Sequence, residues 1–469
     1  MNENEKFDPA IDASCRVPLL ALLGGAALWL VIGLALALVA SLTFHMPWAF
    51  ADHAWLVYGR LQAAANDAII YGFAMPAALG VVLWIFAQLS ETDLAWPLVP
   101  IMAANLWHLG VLIGIVAIFI GESTGFPWLE FPRGGSVLLF TAYLLIAISA
   151  MATFGARRER VLQPPHWFLL AALFWFPWIY ASANIFLVAW PVRGVTQAVI
   201  DWWFSNNLIF VWLTLVGLGT AFYFLPKLSG RPLYHPYLVL FAFWSFILFA
   251  TWCGIPQGAP VPAWLPAASS VGSGLTIVPL IAIAMIFVKT VYGPSPGGIQ
   301  CKGGPFCYIK FGTAAFILSN LMLISLGCPR FGRMAEFTWY APAQTYLQIL
   351  GFFTIVTCGA VYRLMPRVMS LDWPFPKFIR VQHWLFMLGL VFLVVPLVIG
   401  GIAQGLDNFA IQIALHYLQV STLGWLLLLL GSLLFAVNIF ALTLKWKIGV
   451  AKGFIAVINP PSKMEEVKL

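Results

Sequence analysis

The stretch Asp201-Trp-Trp-Phe-Ser-Asn206-Asn207-Leu-Ile-Phe-Val-Trp212 opens an apolar run that continues to Phe224-Leu-Pro226. A tryptophan pair at a membrane edge, followed one turn deeper by small and polar side chains and then by a long hydrophobic run, is typical of a helix that enters a bilayer beside a buried site. This stretch therefore predicts a membrane-spanning helix with a polar position, Asn206, just below the membrane edge.

The composition places the rest of the chain in the bilayer as well. Of the 469 residues, 62% are hydrophobic and only 9% are charged, and the mean hydropathy is +0.93. A soluble domain carries more charge, and the strands of a barrel would show alternating polarity. The predicted fold class is therefore all-α, a polytopic membrane protein surrounded by membrane lipids. The net charge of +7 lies in short loops between apolar segments, which argues against a nucleic-acid partner.

Apolar segments long enough to span a bilayer recur along the chain and predict about 12 transmembrane helices. They fall at 18–45, 67–90, 98–121, 134–154, 166–190, 203–225, 236–253, 267–290, 309–327, 342–366, 381–402 and 410–444. No repeat or linker divides them, so we predict one membrane domain at 18–446, a cytoplasmic N-terminal segment at 1–17 and a cytoplasmic tail at 447–469. The polar N-terminal segment has neither a basic start nor a cleavage site, which predicts that no signal peptide is removed.

The distribution of basic residues sets the predicted orientation. With both termini in the cytoplasm, 19 of the 24 Lys and Arg lie on the inner side. The five that lie outside are Arg60, Arg133, Arg193, Arg330 and Arg333. Because cytoplasmic loops carry the excess of Lys and Arg, the sequence predicts a multi-pass protein of the prokaryotic cytoplasmic (inner) membrane with both termini inside.

Short motifs spread over nearly the whole chain resemble those of the catalytic subunit of cbb3-type heme-copper oxidases, in the heme-copper oxidase subunit I family. In chain order they are Tyr58-Gly-Arg-Leu61, Ile70-Tyr-Gly-Phe73, Trp128-Leu-Glu-Phe-Pro-Arg133, Trp202-Trp203, Pro226-Lys227 with Arg231-Pro-Leu-Tyr234, and Phe243-Trp244 with Trp252-Cys-Gly254. Each motif alone is weak, but together and in order they are specific. The resemblance implies the subunit I bundle of this family, whose activity is proton-pumping oxygen reduction with cytochrome c as electron donor.

The family's chemistry needs two hemes and a copper ion, which six histidines hold because neutral imidazole binds both heme iron and copper. Carried over position by position, the low-spin heme ligand early in the second helix falls on Ala65, and the first copper ligand falls on Asn206. The adjacent pair of copper histidines falls near Pro256 and Gln257. The tyrosine that the family cross-links to a copper histidine falls on Ala250.

On the tenth helix the family places two histidines two residues apart, where the side chains project about 200° apart and serve a heme on each side. Here these positions are Gln344 and Tyr346. The resemblance thus implies that the metal-ligand histidines are replaced at every position. Tyrosinate binds iron in other proteins, but Ala65 opposite supplies no second ligand.

Other polar residues in the predicted spans are few. Only His108 of the seven histidines lies well within a span, and His416 opens the last helix; both are interpreted as hydrogen-bonded residues between helices. With Asp67 they are the candidates for a residual ligand or a polar site. The sequence predicts no bound heme and no copper, with heme b as the alternative, and no further metal site.

The acidic residues of the spans are interpreted as lying at helix ends. Asp67, Glu122 and Asp201 are expected to cap helices or to pair with predicted outer-face arginines such as Arg60 and Arg133. No acidic relay for protons crosses the predicted membrane region.

Three functions stay open from the sequence. The first is a non-catalytic, heme- and copper-poor core or scaffold subunit of a respiratory or electron-transfer complex, a hetero-oligomer with a membrane-anchored cytochrome c-type subunit. The second is an active terminal oxidase or nitric oxide reductase with unusual ligands. The third is a protein that binds quinone or lipid in the volume that the hemes would vacate. The first explains why fold motifs persist while the redox positions hold Ala, Asn, Pro, Gln and Tyr.

Overall fold

The computed structural model describes residues 9–458, except 51, 159, 294–303 and 408–409, and the described part of the chain is helical without a strand. Eleven of its helices are long and apolar enough to cross a membrane, and Pro236–Ala250 is a shorter twelfth. The predicted all-α class with about 12 spanning helices is confirmed. Labelled α1 to α12 in chain order, they are Pro9–Leu42, Tyr58–Ser90, Leu98–Ile120, Arg133–Gly155, Pro164–Ala189, Val195–Ser229, Pro236–Ala250, Trp264–Tyr292, Pro305–Gly327, Tyr340–Met369, Pro376–Leu406 and Ile411–Ile458.

Three helices form the centre of the bundle. In the most apolar 18-residue segment of α2, every residue is buried inside the protein. In the corresponding segments of α6 and α10, 94% of the residues are buried, whereas in those of the other long helices 39–56% are buried. A helix whose residues are apolar all round belongs inside a bundle, and one with two kinds of face belongs at its edge. The candidate positions Ala65, Asn206, Gln344 and Tyr346 all lie on these three central helices.

The helix ends follow local sequence signals. Proline occupies one of the first positions of α7, α9 and α11, where its missing N–H would have no helical partner in any case. At the other end, α3 and α6 stop at Gly121 and Gly230, which adopt left-handed φ angles of 94° and 65°.

The first helix begins at Pro9, earlier than the predicted start at residue 18. The reason is a polar network that sequence spacing does not reveal. Asp12 accepts hydrogen bonds from the Trp84 indole and from Gln88, both at 2.9 Å, and pairs with Arg367 at 2.8 Å. A buried carboxylate with this many partners is stable inside a helix bundle, so the polar residues before 18 become part of α1.

The last helix also differs from its predicted end. It continues to Ile458, so the predicted boundary between 446 and 447 falls inside α12 rather than at the start of a separate tail. A helix satisfies its own backbone hydrogen bonds and therefore needs no change of structure where it leaves the apolar region. Residues 1–8 and 459–469 of the two predicted terminal segments lie outside the described residues.

Candidate functional site at the centre of the bundle

The three central helices share an unusual backbone feature. Each contains a π-helical stretch: Ala68–Ala74 in α2, Asn207–Trp212 in α6 and Leu347–Thr354 in α10. The stretches in α2 and α6 both pack against the one in α10. They begin directly after Asn206 and Tyr346, and within one turn after Ala65. Because π-helical turns are rare and are frequent at functional sites, their meeting point is the candidate site.

The position of Ala65 holds no polar group, and its neighbours close the gap between α2 and α10. Ala65 is completely buried. One turn earlier, the Gln62 amide donates a hydrogen bond of 2.9 Å to the Tyr346 hydroxyl and another of 2.9 Å to Asn66. The Tyr346 ring also packs edge-on against Trp425, with ring centroids 5.0 Å apart. A neutral hydrogen bond therefore joins the two helices here.

On the other side of α10, Gln344 turns towards α9. Its amide donates to the Ser319 carbonyl oxygen at 3.4 Å, and the Ser319 hydroxyl donates to the Gln344 carbonyl oxygen at 3.3 Å. One turn further along α10, Gln348 is fully buried and donates to the Thr214 hydroxyl of α6 at 2.8 Å. Each glutamine thus links α10 to a neighbouring helix.

Asn206 on α6 points to the end of α7. Its amide donates a hydrogen bond of 3.0 Å to the carbonyl oxygen of Ala250, whose side chain is buried. Gly254, with a left-handed φ of 99°, lies so close that an added Cβ would come within 2.5 Å of the Asn206 Cβ atom. The predicted positions Asn206 and Ala250 are therefore brought together, through the backbone of Ala250.

Pro256 and Gln257 face a different set of residues. Pro256 is buried. The backbone N–H of Gln257 donates a hydrogen bond of 2.9 Å to the Glu336 carboxylate. The side-chain amide of Gln257 donates to the Pro266 carbonyl oxygen at 3.0 Å. Burial raises the pKa of Glu336 to about 7, and the hydrogen bond from Gln257 counteracts part of that rise. Gln257 thus anchors a loop to Glu336 and Pro266.

The two histidine candidates lie apart from this centre. His108 packs against Gly25 of α1, and its Nε2 atom lies 3.3 Å from the Ala21 carbonyl oxygen, as predicted for a hydrogen-bonded residue between helices. The same interpretation is wrong for His416, which is exposed, because it lies on the outward face of α12 while Ala414 and Leu418 of the same region are buried. Among the described residues, no group of three or more His, Cys, Asp or Glu side chains is arranged to hold a metal ion.

The position of Asp67 and the partners of the carboxylates also differ from the prediction. Asp67 lies inside α2 rather than at its end, and it is completely buried beside Glu130 of the α3–α4 loop. The arginines that were expected to pair with Asp67 and Asp201 bind backbone carbonyl oxygens instead. Arg60 donates to Phe119 at 2.9 Å, and Arg133 donates to Val188 at 2.7 Å. An arginine near a helix C-terminus satisfies free carbonyl groups in this way. Arg60 and Arg133 therefore do not neutralise the carboxylates of Asp67 and Asp201.

Comparison with known proteins agrees with this architecture. Residues 18–420 match the family described as Cytochrome C and Quinol oxidase polypeptide I. This chain belongs to that family. A solved heme-copper terminal oxidase shares the fold with a TM-score of 0.73 at 15% identity, and the match covers 92% of this chain and 84% of the oxidase chain.

Relatives in the same family are distant but align over most of their length. The chain is 21% identical to the cbb3-type cytochrome c oxidase subunit CcoN1 of Stutzerimonas stutzeri, over 87% of this chain and 89% of the relative. It is 24% identical to a cytochrome c oxidase subunit 1 homolog of Agrobacterium tumefaciens, over 92% of this chain and 85% of the relative. The protein is thus a multi-pass membrane protein like cbb3-type oxidase subunit I.

The residues at the family positions of this oxidase-family chain do not fit a heme or a copper centre. Ala65 has no donor atom, and the amides of Asn206 and Gln344 are already bonded to protein groups. Heme held between α2 and α10 needs room for its macrocycle, whereas Gln62 and Tyr346 are in direct contact. The site offers neutral hydrogen-bonding groups, and the oxygen atoms Asn206 Oδ1 and Gln348 Oε1 accept no bond from the described residues.

Several residues of the site were missed in the sequence. Gln62 lies one turn before Ala65, and Gln348 lies one turn after Gln344, so helical spacing from the predicted positions was the available signal. Glu130 lies inside the quoted motif Trp128-Leu-Glu-Phe-Pro-Arg133, but nothing in the spacing of residues indicates that its loop turns into the bundle. Contacts between distant segments decide that.

Proposed function

We propose that this chain is a non-catalytic core or scaffold subunit of a membrane respiratory or electron-transfer complex, in which it binds neither heme nor copper. A membrane-anchored cytochrome c-type subunit is the proposed partner, on the predicted outer face. The observation that carries the proposal is the direct hydrogen bond between Gln62 of α2 and Tyr346 of α10 at 2.9 Å. It joins the two helices at the point where the family's low-spin heme would need a ligand from each.

The remaining contacts support the same proposal. Gln344, Gln348 and Asn206 link the central helices to one another or to α7 and α9 through neutral groups. Phe352 packs its ring against Phe316, with centroids 4.8 Å apart, and against Gly217 of α6. Packing of this kind fills the interior at native density. A subunit that keeps the bundle and its surfaces can still bind partners without redox groups.

The test is a reduced-minus-oxidised absorption spectrum of the purified chain, with a pyridine hemochrome assay and copper analysis. The S. stutzeri CcoN1 subunit, prepared in parallel with its complex, is the positive control for each method. We expect neither heme nor copper in stoichiometric amount in a folded chain, and co-purification of a cytochrome subunit when the complex is extracted mildly. Stoichiometric heme and copper would instead support an active oxidase or reductase with unusual ligands.

A second candidate function, binding of quinone or another apolar ligand, is supported by a separate observation. A groove of about 520 Å³ lies on the outside of the bundle between α4 and α5. Apolar side chains line it, among them Trp96, Leu144, Ile148, Leu173 and Phe174. This place differs from the vacated heme volume that the sequence indicated, because side chains occupy the bundle centre.

The groove is tested by extraction of bound quinone and lipid from the purified chain. The variant Ala147→Phe fills the groove and is expected to reduce a specifically bound ligand several-fold, whereas Leu112→Phe, on the exposed surface of α3, leaves it unchanged. Equal ligand content in both variants would exclude this candidate.

A further inference from the structure

The loop between α3 and α4 turns into the bundle and carries a carboxyl group with it. Thr124 organises the loop, because its N–H donates to the Glu130 carbonyl oxygen at 3.1 Å and its hydroxyl donates to the Leu129 carbonyl oxygen at 2.7 Å. The Tyr71 hydroxyl of α2 donates to the Trp128 carbonyl oxygen at 2.5 Å. Leu129 and Glu130 are buried as a result.

The loop backbone is held in a conformation of higher energy. Trp128 adopts a left-handed φ of 65°, which costs a non-glycine residue on the order of 1 kcal/mol. Strain of this kind persists only where surrounding contacts over-determine the backbone. The hydrogen bond from Tyr71 is one such contact, and the carboxyl group two residues later lies directly against α2.

Two carboxyl groups meet at this point, and within residues 9–458, apart from the gaps given above, neither forms an ion pair with a cation. Asp67 is completely buried and Glu130 is 8% exposed. Within the described part of the chain, no N–H or O–H donor is bonded to either carboxyl oxygen of Asp67 or to Oε2 of Glu130. Arg60 and Arg133, the nearest basic candidates by sequence, are bonded to carbonyl oxygens elsewhere.

The titratable groups around the pair are acidic or phenolic. Glu130 faces Asp67 and also interacts electrostatically with Asp201 of α6. Asp67 faces Glu130, and it interacts electrostatically with the phenol groups of Tyr71 in α2 and Tyr180 in α5. None of these groups supplies positive charge to the pair.

Physical chemistry limits the states that such a pair can occupy. Ionised carboxylates only accept hydrogen bonds, so two of them in contact cannot bond to each other. Two like charges in a buried site raise the energy of the doubly ionised state. A single proton resolves both problems, because the protonated carboxyl donates a short, charge-assisted hydrogen bond to the other.

We propose that Asp67 and Glu130 form a proton-binding site, in which the two carboxyls share one proton near neutral pH and thereby fasten the α3–α4 loop onto α2. The bound group is a proton taken from the aqueous face beside the loop. The site belongs to the folded chain itself and does not depend on the presence or absence of hemes. In agreement with it, burial raises the pKa of Glu130 to about 7.

The direction of the pH effect follows from the charge of the pair. A carboxyl whose pKa is higher in the folded chain than in the unfolded chain stabilises the fold at low pH, and the stabilisation is lost as the pH rises through the folded value. The loop is therefore fastened while the pair holds at least one proton, and it is loosened when the pH rises far enough to remove the last one. Repulsion between the two carboxylates is the physical cause of the loosening.

Infrared spectroscopy of the purified chain tests the site directly. We expect a carbonyl band of a protonated carboxyl near neutral pH that is lost on raising the pH. In the wild-type minus Glu130→Gln difference spectrum one carboxyl band per chain is expected, and Asp67→Asn is expected to remove the same band. Glu122→Gln, an exposed change in the same loop, is the matched control and leaves the band unchanged.

Isotope labelling keeps the test independent of mutant folding. In the wild-type chain, ¹³C in the Asp and Glu carboxyl groups shifts the pH-dependent band if it arises from these residues. An unshifted band, or a band that survives in folded Glu130→Gln, would overturn the proposal. So would a band that added calcium or sodium ions remove at constant pH, because the pair would then be a metal-cation site.

Discussion

Glu336 illustrates how a single buried group makes the fold sensitive to pH. It lies between α9 and α10, accepts a hydrogen bond from the Gln257 backbone N–H at 2.9 Å, and has its pKa raised to about 7 by burial. Its ordinary value is 4.5. Because the folded chain binds this proton more tightly than the unfolded chain, the free energy of unfolding falls as the pH rises from about 4.5 to about 7.

The variant Glu336→Gln removes this titration and keeps a group of the same shape. We expect its unfolding temperature to depend less on pH, with a difference from the wild type of about 2–4 °C between about pH 4.5 and about pH 7. Thermal unfolding followed by tryptophan fluorescence in detergent measures this. Glu122→Gln, whose side chain is exposed, is the control and should keep the wild-type slope; an unchanged slope in Glu336→Gln would contradict the argument.

Single residues of the site were only partly predictable. The positions Ala65, Asn206, Gln344 and Tyr346 follow from the resemblance and lie on the three buried helices. The pairing of Tyr346 with Gln62, and of Asp67 with Glu130, did not follow. Partners in a helix bundle depend on helix rotation and on loop paths, which the residues themselves do not encode in any local spacing.

At the scale of helices, close packing in the bundle centre depends on small residues opposite large rings. An added Cβ on Gly217 of α6 would lie 2.4 Å from the Phe352 ring of α10. The ring occupies the π-helical stretch of α10 and also contacts Phe316 of α9. Small residues at helix interfaces let neighbouring segments approach in this way.

Gly217→Ala is therefore expected to lower the free energy of unfolding by about 1–3 kcal/mol through overpacking. The double variant Gly217→Ala with Phe352→Leu should lose less than the sum of the two single changes, because the smaller side chain makes room for the added methyl group. Denaturation in mixed detergent micelles measures the four free energies.

The matched control is Gly155→Ala, since no atom lies within 4 Å of the Cβ that this change adds. It should have little effect. Additive losses for Gly217 and Phe352 would show that the contact between α6 and α10 is looser than described.

At the scale of the whole molecule, the sequence predicts that twelve spanning helices place both chain ends on one side of the membrane. The orientation itself stays a prediction from the distribution of basic residues. Cys328 offers a test, because it is exposed and follows α9 directly, on the side that the prediction places opposite to the chain ends. The other described cysteines are buried.

A membrane-impermeant maleimide is expected to label Cys328 in spheroplasts, where the outer side of the inner membrane is accessible. The Cys328→Ser variant identifies the labelled site, since it should lose that label. Labelling of Cys328 only in inverted vesicles would reverse the predicted orientation and place the chain ends outside.

The sequence by itself determined the number and places of the spanning helices, because about 20 apolar residues are needed to cross a bilayer and polar loops interrupt them. The resemblance of its motifs also predicts that the family's ligand positions hold residues without imidazole. Only the tertiary structure decided that α1 begins at Pro9, that Gln62 meets Tyr346, and that Glu130 is buried against Asp67. The physical reason is that hydropathy acts on each segment alone, whereas a buried polar group is stable only through partners that distant segments supply.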